Sequence, residues 1–238
     1  MNHYLNPETM HPDIPGDGDL ATLITGHSHR GTVGAPARSI KPRPHPPLDP
    51  AAARTLVGLT GLTGLPTIVA VGPFDDHAHA QQLAAAFITM RRQCTAQLVL
   101  LGAGEQRKAV LRRASAHGVG SSVHVVSDSC DYRWSDLFAV ADLVVLGSSS
   151  GTDMLLDVLA AGRPVVAPAD PATAELVVPA IVGLVYQPGD VSGMAESLLR
   201  LVTTPVLRRG MGSRARQAAR RHRLESIARK QSNERKPI

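Results

Sequence analysis

From residue 65 onward the chain alternates short apolar runs with longer stretches in which apolar positions recur every three or four residues. The runs are PTIVAVG (66–72), AQLVLLG (96–102), SSVHVVS (121–127), DLVVLG (142–147), PVVAP (164–168) and GLVY (183–186). They are rich in valine, and most are continuous rather than alternating. Runs of that kind and length predict strands covered on both faces. Between them, helical spacing predicts helices over 78–92, 105–117, 134–141, 152–161 and 172–178, with 191–202 and 206–223 closing the chain. Strands joined through helices pair in parallel by right-handed crossovers. The pattern therefore predicts an α/β fold, a doubly wound Rossmann-like parallel sheet of about six strands.

Residues 1–50 break the rhythm. LATLIT (20–25) reads as one strand, and KPRPHPPLDP (41–50) as an extended linker. So little apolar sequence does not offset the entropy of ordering a separate core. The expected organisation is a poorly structured segment and linker over 1–50, a Rossmann-like domain over 51–204, and a basic helix and tail over 205–238.

Composition narrows the class. Two cysteines, Cys94 and Cys130, in 238 residues exclude a disulfide scaffold or a cysteine-rich zinc module. No apolar run approaches the ~20 residues of a membrane-spanning helix, and the N-terminus lacks the apolar core of a signal peptide. A cytoplasmic protein is expected. The net charge of +5 is unevenly spread: from Pro205 onward eleven Lys/Arg face two Glu, whereas the preceding residues hold 14 basic and 18 acidic side chains. A basic tail suits an anionic partner, such as the inner face of a membrane, although a solvated arginine-rich helix satisfies the same pattern. Leu207, Met211 and Ala215 form a stripe that can dock such a helix on the core. The scarcity of aromatics in the tail disfavours base stacking, so no specific nucleic-acid partner is expected.

In an open α/β sheet, ligands collect beyond the carboxyl ends of the strands. Two loops there carry candidate chemistry. Gly102-Ala103-Gly104-Glu105 permits a tight turn before a helix N-terminus, which an anion can use and which a plain strand-to-helix turn also explains. Gly147-Ser148-Ser149-Ser150-Gly151-Thr152 is richer: small residues admit a ligand to the backbone, and amides and hydroxyls can donate to phosphate oxygens. Helix capping by Ser and Thr is the plainer account of that loop. Asp157, farther along the same helix, can accept from a ribose hydroxyl.

Gly-x4-Gly-Lys-Ser/Thr is absent, and the first strand ends in Gly72-Pro73-Phe74 without the dinucleotide glycine pattern. A P-loop NTPase and a dehydrogenase are both disfavoured. His27/His29 and His77/His79 are His-x-His pairs without a further local ligand, so surface histidines are the expected reading and no metal is called. Gly26-His27-Ser28-His29-Arg30 lacks the last glycine of a nucleophile elbow.

The segments IVAVG, LVLLGAGEQRKAVLRRASAHGV, ADLVVLGSSSGTDMLLDVLAAGRPVVAP and AELVVPAIVGLVYQPGD, taken in order, resemble the donor-binding C-terminal domain of GT-B glycosyltransferases. The likeness runs from about residue 65 to 216 and is to the large retaining group 1, or family four, type. It implies binding of a UDP- or GDP-sugar, with no metal or other cofactor. Ser150, Gly151 and Thr152 then meet the diphosphate, Asp157 takes the place of the ribose-binding Glu, and Ser149 that of the Glu nearest the donor sugar. Gly72, Gly104 and Glu105 fall in the first and second strand loops. The chain departs from the family at Pro73 and Ala78, where an Arg and a Lys are usual, a loss of roughly 1.5–3 kcal/mol for each charge-assisted contact. His77 and His79 are the nearby substitutes, but a mostly neutral imidazole is a poor one.

Fewer residues precede the first strand than an acceptor domain needs. The resemblance thus implies a glycosyltransferase-like protein that binds a nucleoside-diphosphate sugar. If active, it transfers the sugar to an acceptor held by a separate chain or a second copy. No catalytic residue is assigned. The alternative is an inactive interaction module that kept the fold and uses its basic tail.

Overall fold

A computed structural model describes residues 50–56, 59, 64–126, 134–147 and 149–234. The strand expected over 20–25, the linker before residue 50, His27/His29 and Cys130 lie outside the described residues. The elements are α1 (Pro50–Leu56), β1 (Thr67–Val71), α2 (His77–Arg91), β2 (Gln97–Leu101), α3 (Gln106–Ala116), β3 (Val123–Val125) and α4 (Trp134–Phe138). There follow β4 (Leu143–Leu146), α5 (Thr152–Ala160), β5 (Val165–Pro168), α6 (Pro171–Ala180), β6 (Gly183–Tyr186), α7 (Val191–Thr203) and α8 (Pro205–Glu234).

The six strands form one parallel sheet in the order β3-β2-β1-β4-β5-β6. Every element that the hydrophobic pattern predicts from residue 66 onward is present. Two differences have physical causes. The helix α1 lies in an alanine-rich stretch whose helix propensity the neighbouring prolines obscure. The last helix runs to Glu234 rather than ending near residue 223, because Ala, Arg, Lys and Gln sustain a helix without an apolar face to announce it.

Successive strand residues feed opposite layers. Ile68 and Ala70 of β1 pack with α2, α3 and α7, while Val69 and Val71 pack with α4, α5 and α6. A strand buried at every position favours apolar residues, which β1 has from Ile68 to Val71; Thr67 at its start is buried with its amide donating to Asp142 Oδ2 at 2.9 Å. All three phenylalanines, Phe74, Phe87 and Phe138, are fully buried, each contributing roughly 1.5–3 kcal/mol of apolar transfer energy.

The basic helix α8 docks on this domain through Met211 and Ala215, which are buried, with Leu207 partly so. It also makes a glycine-mediated backbone contact: a Cβ on Gly212 would overlap the carbonyl oxygen of Gly162 in the turn after α5. Gly210, one half-turn away, faces only the far end of Arg214 at 3.8 Å.

Alanine at these two glycines therefore has opposite effects. Gly210→Ala should stabilise by up to about 1 kcal/mol through helix propensity. Gly212→Ala should destabilise by about 1–3 kcal/mol, because overpacking against backbone outweighs the same propensity gain. Urea unfolding of both variants checks this; equal shifts would refute the contact.

Candidate functional site

The strand order reverses between β1 and β4, so the connections leaving them diverge. Val71 pairs with Leu146, which sets Gly72 beside Gly147 at the carboxyl edge. From Gly72 the chain zips onto the neighbouring β2 loop: Gly72 N donates to Leu101 O at 2.8 Å, Phe74 N to Ala103 O at 2.8 Å, and Gln106 N to Phe74 O at 3.0 Å. This close approach explains the glycines. Gly104 has φ 128°, and a Cβ there would overlap the Phe74 backbone. A Cβ on Gly72 would come within 2.8 Å of the Phe74 ring. The Gly102–Gly104 turn thus serves loop-to-loop packing, and the first N–H of α3 is already given to Phe74. Gly104 and Glu105 line a depression of about 350 Å³ with Asp75, Arg107, Lys108 and Val125.

The β4–α5 loop is built differently. Gly147 is buried, and a Cβ on it would lie 3.0 Å from His79 Nε2. The imidazole of His79 fills the space below the loop, with Nδ1 3.4 Å from the Tyr186 hydroxyl, which in turn donates to Leu146 O at 3.1 Å. Ser150 N donates to Gly147 O at 3.0 Å, and Gly147 N to Ser150 Oγ at 3.2 Å, closing a compact turn. Ser149, Gly151 and Thr152 are exposed above it.

Helix N-termini along this edge are satisfied unequally. Asp76 caps α2, accepting from Ala78 N at 2.8 Å and His79 N at 3.2 Å, and Asp170 caps α6 through Thr173 N at 3.0 Å. At α5 the N-cap is Gly151, which offers no side-chain acceptor. The first N–H groups of a helix have no partner within it. Among the described residues no side chain caps those of α5, which stand at the switch point with the positive end of the helix dipole behind them.

Asp157 projects from the second turn of α5 into a groove of about 430 Å³ facing α8, shared with Asp153, Leu156, His222 and Arg223. Partial burial, and then the neighbouring Asp153, push its carboxyl above the ordinary range. The structure thus gathers Gly72, Ser149, Ser150, Gly151 and Thr152 around the switch point, sets Gly104 and Glu105 one loop away, and turns Asp157 toward α8. The two histidines weighed as replacement cations stand differently. His79 is directed inward, and exposed His77 holds Gln106 Oε1 at 3.0 Å through Nδ1. Among the described residues no three His, Cys, Asp or Glu could hold a metal ion. The inward His79–Tyr186 pair escaped sequence reasoning; its one signal is that an apolar helix face continues through position 79.

Burial pulls the His79 pKa below its ordinary value of 6.5, outweighing the opposing pull of Asp76. The unfolded chain then binds the proton more readily than the folded one. The resulting stability is complete above pH 6.5 and is lost as pH falls below it. His124 is shifted the same way by burial. Replacing His79 by Gln should lower stability at neutral pH and flatten, without abolishing, the acid loss seen in urea midpoints. An unchanged slope would refute a buried neutral imidazole.

The comparisons agree with this architecture. The profile of the family described as glycosyl transferases group 1 matches residues 65–204. Among solved structures, the sucrose-phosphate synthase of Thermosynechococcus elongatus is similar at TM-score 0.62 and 21% identity, over 79% of this chain and 49% of that one. WaaG, a glycosyltransferase involved in lipopolysaccharide biosynthesis, gives 0.56 at 24% identity, over 71% and 45%. The C-terminal domain of a glycosyl transferase group 1 family protein from Francisella tularensis gives 0.58 at 15% identity, over 78% of this chain and 96% of that domain. The chain spans about half the length of the first two. No curated protein sequence matches it. A profile match over more than half of the chain, on a sheet of this order, makes it a member of the group 1 glycosyltransferase family with the Rossmann-like half of a GT-B fold.

Proposed function

We propose that this chain binds a nucleoside-diphosphate sugar, of the UDP or GDP class, at the carboxyl edge of its sheet. The observation that carries the reading is the uncapped N-terminus of α5 at the switch point, in a chain of this family. The diphosphate lies against the N–H groups of Gly151 and Thr152 with the Ser149 and Ser150 hydroxyls beside it, Asp157 accepts from the ribose, and the base rests over Gly104 and Glu105. Thr152 and Asp157 are five residues apart, about 7.5 Å along the helix axis and ~140° around it, so the ribose meets Asp157 on the α8 side of the helix, at the groove shared with His222 and Arg223.

Transfer would follow from the same geometry. As the bond between sugar and diphosphate breaks, negative charge grows on the leaving phosphate, and fixed N–H dipoles there stabilise it without reorganising. Pro73 and Ala78 supply no cation, so the stabilisation falls to the helix terminus and the serine hydroxyls beside it. The basic α8 and tail provide the means of peripheral contact with an anionic membrane.

Proline at the first helical position separates binding from folding. Gly151 has φ −69° and ψ 166°, a conformation that suits the residue before proline, and proline is well tolerated at that helical position. Thr152→Pro should therefore change stability by less than about 0.5 kcal/mol, within the usual range for surface substitutions. It removes one donor N–H, and UDP or GDP affinity in calorimetry should fall about tenfold, or 1.4 kcal/mol. Asp157→Ala should weaken the nucleotide to a similar degree. Undetectable binding at millimolar nucleotide, or a Thr152→Pro protein that binds as the parent does, would overturn the proposal.

A further inference from the structure

The opposite, amino-terminal edge of the sheet carries a second concentration of charge. Between the turn at 161–164 and the first turns of α8 lies a cavity of about 350 Å³ whose lining includes Asp142, Arg163, Arg208, Arg209, Gly212 and Arg216. Four guanidinium groups face one carboxylate, and that carboxylate is committed. Asp142 Oδ2 accepts from Thr67 N at 2.9 Å, and Oδ1 sits 3.3 Å from Arg208 Nη2. Arg208 is committed too, its Nη1 donating to Leu201 O at 2.7 Å and Val202 O at 2.6 Å.

Among the described residues the other three arginines make no ion pair, and Arg163 shares only the field of the committed Asp142. Arg163 Nη2 donates to Ala139 O at 3.0 Å, but its Nε is buried without a partner. Arg209 and Arg216 make no ion pair among the described residues. Their positions are fixed by the fold. They stand seven residues apart, on one face of α8, and the Arg216 guanidinium lies across Gly162, where a Cβ would overlap it. Gly212, between them, has no side chain to fill the floor of the cavity. Burial, partly offset by Asp142 and reinforced by Arg216, draws the Arg163 pKa down.

We propose that this cavity is a binding site for a compact phosphate dianion, such as pyrophosphate or a phosphomonoester, held by Arg163, Arg209 and Arg216. Planar guanidinium forks match phosphate oxygens bidentately, and an anion here relieves the mutual repulsion of three cations. β4 separates Asp142 from Gly147, so the site is about a strand's length, roughly 13–16 Å, from the proposed donor phosphates. The phosphate can be free in solution or carried on a lipid headgroup. Arg220 and Arg223 continue the Arg216 face along α8, in position to meet a larger anionic surface.

The test is titration of the full chain with pyrophosphate, with sodium sulfate at equal ionic strength as control, and cosedimentation with phosphatidic acid vesicles against phosphatidylcholine vesicles. The Arg209→Ala/Arg216→Ala variant alters exposed side chains and should remain folded, while losing about tenfold or more in phosphate affinity. Arg92→Ala/Arg112→Ala, which removes two exposed arginines elsewhere, should bind as the parent does. Any pyrophosphate bound at the donor edge is insensitive to the first variant, so the two sites are distinguishable. Variant-sensitive pyrophosphate binding assigns a soluble ligand, and variant-sensitive vesicle binding alone assigns a headgroup. Binding unchanged by Arg209→Ala/Arg216→Ala in both arms, or matched by sulfate, would overturn the proposal.

Discussion

The divergence of the chain at β1 and β4 is the constraint on which the rest depends. Both strands run parallel and side by side, yet α2 leaves β1 for one face of the sheet and α5 leaves β4 for the other. A right-handed crossover cannot cover the gap between them. The gap therefore stays open at the carboxyl edge, and whatever the two loops present there is available to a ligand. On the β1 side the backbone is consumed by pairing with the β2 loop. On the β4 side a compact Gly147–Ser150 turn, supported from below by His79, leaves the start of α5 uncapped.

Charge is arranged unusually around that gap. The carboxyl edge carries Asp75, Asp76, Glu105 and Asp170, with Arg107 and Lys108 confined to the depression beside β3. At the amino edge arginines gather. On the proposed reading, a phosphate ligand at the carboxyl edge would be stabilised by oriented backbone N–H groups rather than by fixed cations. Those donors are rigid, and hydration does not move them when charge develops. The family resemblance survives the loss of two basic positions for a related reason: strand order and helix placement, which those side chains do not determine, set the start of α5 at the switch point.

Much of this was legible in the sequence. Valine-rich runs gave six parallel strands with boundaries accurate to one or two residues, because the central strands are covered on both faces and carry few polar positions to confuse the pattern. The Gly/Ser loop after β4 was legible for the same reason, as it follows the most apolar strand. The fate of His79 was not. A histidine two residues from an exposed one reads as a surface pair until the depth of α2 against β6 is known, and that depth depends on Tyr186, over a hundred residues away. Nor could the sequence reveal that Gly162 and Gly212 meet, or that this contact gathers arginines from two separate elements around one cavity.

The central claim is that the exposed N–H groups at the start of α5 receive the phosphates of a nucleotide ligand. The most direct measurement is a nitrogen-15 amide spectrum of the labelled chain during titration with UDP. The account predicts that the largest shifts fall on Gly151, Thr152 and Asp153, with smaller ones at Gly72 and Gly104 and none at Arg163 or Gly212. Saturating shifts elsewhere on the domain, with the three α5 amides unmoved, would contradict it.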